Sequence, residues 1–472
     1  MSRETKLAKN TFILAIGTFL PKLASFITLP ILTGSLTKEE MGSYDIITVL
    51  VSLLLPTVTL QVSAAAFRFL IDVRNDQEKI KTIINTIYTF ITPVSVISVI
   101  ILFFVFPGQS TLVKLMICLY YLADIFVNAT RQIVRGIGRN LDYSISAIVS
   151  ALGKMIFAVV FVWYFKIGIL GAVTALFGAS TVSLIVIMLR SKIYHYFSAE
   201  SISKECLKNL LAYSWPLIPN SMCMWVMNLS DRLIVTGILG VGVNAVYAIA
   251  NKFPSLLTLA QTTFTMAWQE NASMVSKDDD ADKYYSSMFR TMFDLIAGFF
   301  GVLIAVTPLL FILLIKGDYD DAYNHIPILF MGMFFYSLSA FLGGIYSAYK
   351  KTLSVGVTTM IAAILNLVIN LALINRIGLY AASVSTLASH LFLFVYRIID
   401  VRKLVKIKFS VRHLVIVLLL ITMECFLCFQ RAFLLDIANF IISTAAFFLL
   451  NHSFVKSVWK KMKSLLAKRR SK

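Results

Sequence analysis

The sequence predicts an all-α polytopic membrane protein of about fourteen transmembrane helices, arranged as two parallel-repeat six-helix lobes with two further helices at the C-terminal end. Three observations carry this. Of 472 residues, 58% are hydrophobic and 14% charged, and mean hydropathy is +0.83, more apolar surface than a water-soluble fold could bury. Apolar runs of about 20 residues, enough to cross the hydrocarbon core at 1.5 Å per residue, recur along the whole chain. The Lys and Arg residues between them gather on alternate loops.

In chain order the spans are read at 10–33, 43–67, 83–106, 112–134, 143–165, 168–189, 211–239, 244–270, 288–315, 325–348, 353–374, 378–398, 413–430 and 433–451. The first is too long for a cleavable signal and no small-residue cleavage pattern follows it, so it reads as a retained span. Longer polar breaks fall at 71–82, 190–209, 275–287 and 399–412, while Asn375–Gly378 and Gln430-Arg431 mark the narrowest splits. On one side of the membrane the loops hold only Lys38, Lys114, Lys166, Lys316, Arg376 and Arg431. The positive-inside rule then predicts a multi-pass protein of the cytoplasmic (inner) membrane with both termini cytoplasmic. The net charge of +19 is thus spent on topology and on a basic tail facing membrane lipid headgroups. Nucleic acid is not an expected partner.

The division expected from this pattern is a six-helix lobe over 1–189, a cytoplasmic linker over 190–209, a second six-helix lobe over 210–399, two appended helices over 400–451 and a basic cytoplasmic tail over 452–472. An internal repeat supports it. At one constant offset Thr33, Gly34, Leu36, Tyr44 and Ile46 meet Thr236, Gly237, Leu239, Tyr247 and Ile249, with Gly42 opposite Ala245. The matched turns lie six spans apart, so the halves run the same way through the membrane, about an axis along its normal. Six of the ten prolines (Pro21, Pro30, Pro56, Pro216, Pro219 and Pro254) fall in spans 1, 2, 7 and 8. Ordinary tolerance of proline in membrane helices is the bland account; bent walls of a pathway are the functional one.

Ionisable residues inside a membrane are costly unless they face a bundle interior or a wet cavity. Asp124 and Lys154 fall at matching depth on consecutive spans and read as an ion pair. Asp231 and Lys252 are placed to pair in the same way, which leaves Lys22 and Arg232 as cations lining a cleft; the candidate cationic cavity comprises Lys22, Arg232, Lys252 and Arg68. Such cations suit an anionic substrate, because Arg offers phosphate a donor fork and Lys a point charge. Arg68, Arg131 and Arg135, at the inner ends of spans 2 and 4, either receive a phosphate from the cytoplasmic side or snorkel to the interface. Glu270 and Asp294 sit near the cytoplasmic ends of spans 8 and 9. Glu424 is either a coupling-ion site or close to the outer surface, and Trp225 offers a face on which a sugar could stack. No phosphate loop of the GxxxxGK[ST] type, no GxSxG elbow and no metal-ligand pair occurs, and no extramembrane segment is long enough for a catalytic domain. The expectation is a non-enzyme without a cofactor, its coupling ion (H+ or Na+) undetermined.

Lys9-Asn10-Thr11 entering a span with Pro30, then Leu36-Thr-Lys-Glu-Glu-Met-Gly-Ser-Tyr44, resembles the opening of bacterial polysaccharide-repeat-unit flippases of the Wzx type. The run Tyr213…Pro216-Leu-Ile-Pro219…Asp231-Arg232…Gly240…Tyr247…Lys252 resembles the same family, and the likeness in layout extends over the whole chain. These flippases share a superfamily with multidrug exporters and lipid II flippases. The resemblance implies two six-helix lobes around a cationic central cavity. It also implies transfer of an undecaprenyl-diphosphate-linked oligosaccharide to the outer leaflet by alternating access, for capsule or O-antigen-like synthesis, with glycan polymerase and glycosyltransferases as partners. Lipid II flippase, drug exporter and non-transporting scaffold for glycan synthesis are the alternatives. The cationic excess speaks against the drug exporter.

Overall fold

Long apolar runs become helices here because a helix satisfies its own backbone where no water can, and among the described residues every regular element is helical. The structure, a computed structural model, describes residues 3–106, 108–198, 201–258, 280–452 and 455–456, with 261, 265, 268, 272, 275 and 278; residues 3–16, 18, 220 and 352 are described as backbone only. The first half comprises α1 (Arg3–Ser35), α2 (Lys38–Val58), α3 (Val62–Asp72), α4 (Gln77–Val105), α5 (Thr111–Gly136), α6 (Asn140–Ala158, extended by a π-helical segment Val159–Tyr164) and α7 (Gly168–Ser191). Next come α8 (Lys204–Ser214), α9 (Leu217–Leu239) and α10 (Val241–Lys252), then α11 (Ala281–Leu314), α12 (Asp320–Ala348), α13 (Thr352–Ile377), α14 (Tyr380–Asp400), α15 (Val411–Phe429) and α16 (Phe433–Leu450).

Among the described residues twelve of these helices, α6 with its π segment and α14 with the short turn Val401–Lys403, are long and apolar enough to span a membrane, and a shorter apolar stretch, Phe19–Ser35, lies within α1. Each matches a predicted span. The predicted eighth span, 244–270, is α10 as far as Lys252 and then runs largely outside the described residues, Glu270 included.

The prolines act differently from one another. α1 continues as one helix through Pro21 and Pro30. The predicted span 43–67 is instead two helices. Past Pro56 the chain turns at Thr59–Gln61, where Leu60 and Gln61 take left-handed backbone angles (φ 49° and 57°), a conformation uncommon for residues other than glycine. Pro216 separates α8 from α9, since a proline has no backbone N–H with which to continue the helical ladder.

Packing gathers the chain into two compact units, Met1–Ala245 with Leu314–Asp318, and Val246–Leu313 with Tyr319–Lys472. In the first, α5, α6 and α7 pack together, α1 lies on α6, and α3 joins α4, α5 and α8. Its core includes Ile84, Ile87, Tyr121, Ile125, Ile133 and Val173, all essentially buried. The polar stretch after α7 is pinned to α4: Asn85 donates to the Tyr196 carbonyl (2.8 Å) and accepts from Ser198 N (3.0 Å), and Thr86 Oγ1 accepts from Ser203 N (3.2 Å). In the second unit α14 packs on α12 and α13, α15 on α12 and α16 on α15. Phe293, Phe300, Phe330 and Phe334 meet there edge to face.

Candidate functional site

The two turns matched by the repeat pack against each other within the first unit. A capping box starts α2: Thr37 Oγ1 accepts from Glu40 N while Glu40 Oε2 accepts from Thr37 N. Four residues into this helix Gly42 lies so close to the start of α10 that a Cβ there would land on the Val241 carbonyl. Gly240, at φ 100°, makes the reversal between α9 and α10 that permits this approach. One turn further along α2, Asp45 is 4% exposed. Its Oδ1 accepts from the Arg232 guanidinium of α9, and its Oδ2 accepts from Asn244 Nδ2 of α10 at 3.2 Å. Trp225 continues the junction, its indole N–H reaching the Val49 carbonyl (3.4 Å) and Ser52 Oγ (3.3 Å). At the far end of α2, Gln61 Nε2 donates to Ser221 Oγ on α9 at 2.7 Å.

Arg232 is therefore a half-buried cation held by a carboxylate from another helix, a partner that the sequence reading had not given it. The signal for this was available in part, since Asp45 falls two residues inside the predicted span 2, but that reading gave it no role. Lys22 is half-buried on α1, and its carbonyl accepts from Ser25 Oγ at 2.7 Å. Asp231 is buried on α9, and Lys252 is half-buried where α10 ends.

The other expected site residues are engaged elsewhere. Arg131 turns into its own bundle, donating from Nε to Ser146 Oγ (3.0 Å) and from Nη2 to the Ser146 carbonyl (3.0 Å) and Ser183 Oγ (2.9 Å). Arg135 lies over the Phe67 ring, 4.4 Å from its centre. Arg68 is exposed and bonded to Asp72 at 2.6 Å. Asp124 is within electrostatic range of Lys154 and Arg131. It accepts from Asn128 Nδ2 (3.2 Å) and Ser180 Oγ (3.5 Å), and no nitrogen–oxygen approach within 4 Å joins it to Lys154 among the described residues. The expected direct ion pair is thus a longer-range one. Glu424 is 1% exposed, with Oε1 accepting from Ser443 Oγ at 2.9 Å.

One buried cation escaped the sequence reading. Arg397 on α14 donates to Thr358 Oγ1 (3.1 Å), the Ser339 carbonyl (2.9 Å), the Val355 carbonyl (3.2 Å) and Thr359 Oγ1 (2.9 Å). It lies at the end of the predicted span 12, where an arginine is readily taken for part of the following basic loop.

Residues 7–269, more than half of the chain, match the family model described as Polysaccharide biosynthesis protein. No curated protein sequence matches the chain. Among solved structures it is similar to the lipid II flippase MurJ in an inward closed conformation (14% identity, 95% of this chain and 99% of that chain, TM-score 0.73). It is also similar to an inward-facing multidrug resistance MATE family transporter of the MOP superfamily (11%, 84% and 98%, TM-score 0.66). A MOP superfamily transporter from Pyrococcus furiosus matches at 12% identity over 84% of this chain and 95% of that chain, with a TM-score of 0.59. At these identities the likeness is one of fold.

Proposed function

We propose, because the chain belongs to the polysaccharide biosynthesis protein family, that it is a flippase moving a polyprenyl-diphosphate-linked oligosaccharide from the cytoplasmic to the outer leaflet by alternating access. The observation that carries the reading is Arg232. It is a guanidinium satisfied by one carboxylate, Asp45, across a junction between two repeat-related turns. On the topology given by the basic loops, that junction closes the outer ends of spans 2 and 7.

A diphosphate is a stronger bidentate partner for a guanidinium than one carboxylate already shared with an amide. When the head enters from the cytoplasmic side, its phosphates compete with Asp45 for Arg232, and Lys22 offsets part of the remaining charge. Release of Asp45 loosens the junction, so the outer ends of α2 and α9 part only when substrate is present. Discharge outside returns Arg232 to Asp45. A ligand shifts such an equilibrium only through its differential affinity for the two states, and the exchange of partners supplies that difference.

The test is glycan export in cells. Lys22→Glu and Arg232→Glu are each expected to abolish export with membrane insertion intact, and normal export by both would refute the reading. The exchange of Asp45→Arg with Arg232→Asp rebuilds the pair with its charges transposed. Export is expected to stay lost; recovery would make Arg232 a fastening only. Complementation of cells lacking lipid II flipping, and a dye-efflux assay, separate the proposed substrate from those of the structural relatives.

A further inference from the structure

The second unit holds a cavity of about 420 Å³ that the proposed transport cycle does not use. It lies beside the first turns of α11 and the start of α15, and the stretch leading into α15 closes it. That stretch is fastened along α11, with Lys406 N donating to Asp282 Oδ1 (3.1 Å) and Lys408 N to Ser286 Oγ (2.9 Å).

The cavity has two kinds of wall. Phe289, Phe293 and Phe409 form an apolar floor, with ring centres 6.3 Å apart for the first pair and 5.9 Å for Phe289 and Phe409. Arg290, Lys408 and His413 form the rim, and the α15 N-terminus opens beside them, capped by Ser410 Oγ accepting from His413 N. Asp294 tempers this charge: its Oδ1 meets His413 Nε2 at 2.6 Å, and its Oδ2 is 3.9 Å from Arg290 Nε. Arg290 keeps most of its donors turned outward, its side chain 73% exposed, and Lys408 is exposed too. Arg290 follows the polar break at 275–287 and Lys408 lies in the one at 399–412, both of which the sequence places on the basic side of the membrane, the level where headgroups lie.

We infer that this cavity binds a phosphate ester, with Arg290 and Lys408 on the phosphate, and that its source is the phosphodiester of an anionic membrane phospholipid. A basic rim alone would take free phosphate equally well. The phenylalanine floor decides for the lipid, because it offers the glycerol and upper acyl segments apolar surface that inorganic phosphate cannot use. Lipid held there would brace α15 against α11 while leaving the α2–α9 junction untouched.

The experiment is native mass spectrometry of the full-length protein in detergent, titrated with phosphatidylglycerol or phosphatidylcholine. Arg290→Gln with Lys408→Gln is expected to weaken phosphatidylglycerol retention about 10-fold or more. Phosphatidylcholine should bind more weakly than phosphatidylglycerol and be indifferent to the substitutions. Both side chains are exposed, so an unchanged thermal melt is expected to confirm that the variant is folded. Equal phosphatidylglycerol retention by variant and parent would overturn the site. Displacement of phosphatidylglycerol from the parent by millimolar inorganic phosphate would overturn the lipid as its source.

Discussion

Arg131 and Arg397 do one job from different helices. In the first unit the arginine comes from α5 and ties α6 to α7 through Ser146 and Ser183; in the second it comes from α14 and ties α12 to α13 through Ser339, Val355, Thr358 and Thr359. Both are satisfied by hydroxyls and carbonyls, neutral acceptors fixed in the same helix triplet. Arg232 differs in kind, because its partner is a carboxylate on another span. A guanidinium bonded to backbone carbonyls has nothing to exchange, since those groups cannot leave. One bonded to a side-chain carboxylate can trade it for a phosphate. Partner chemistry, more than depth or burial, separates a cation that holds a bundle together from one able to take part in transport.

The hardest blow to this distinction comes from locking the junction. A Cβ built on Gly242 lies 3.6 Å from the Lys38 Cβ, within the roughly 3.5–4.5 Å that a disulfide spans. Lys38→Cys with Gly242→Cys, in a background without the native cysteines, is expected to crosslink on mild oxidation and abolish glycan export, with reductant restoring it. Full export by the crosslinked protein would show that the outer ends of α2 and α9 need not part. Arg232 would then belong with Arg131 and Arg397.

Removing the two clamps should act on stability, and unequally. Hydrogen bonds to a charged group contribute about 1.5–3 kcal/mol each. Arg397→Met deletes four of them and strands buried acceptors, so a loss of roughly 3 kcal/mol or more is expected, seen as a large fall in thermal midpoint and yield. Arg131→Met should cost less, roughly 2 kcal/mol, because the Ser146 and Ser183 hydroxyls already bond each other at 2.7 Å. Lysine at either position recovers the charge without the planar fork and is expected to recover only part of the loss. An Arg397→Met protein as stable as its parent would deny the clamp.

The fold was legible because its determinants are local. A span is written in its own apolar residues, and a helix satisfies its own backbone whatever packs beside it. The repeat in 33–46 and 236–249 was legible too, but not that the turns it marks pack on each other; that rests on Gly42 having no side chain where α10 arrives. Pair identity was the least legible level. Asp45 and Arg232 are 187 residues apart, and no periodicity links them. Arg131 looked like an interfacial cation because its serine acceptors sit on other helices. Composition can say that a charge needs a partner, but only packing says which.

The smallest effect is expected at Arg68, which sequence reasoning had grouped with the cations of the cavity. It lies one helical turn from Asp72 on α3, with side chains 50% and 62% exposed. Pairs so open to solvent are screened, and they spend side-chain entropy to form. Arg68→Gln should therefore leave the thermal midpoint unchanged within error and leave export at the parental rate. The informative outcome is the contrary one. A loss of export with normal insertion and melting would mean that Arg68 gives up Asp72 for substrate in another state. Exposure would then mark a cation waiting at the entrance, and the rule drawn from Arg232 would extend to every arginine whose only partner is a carboxylate.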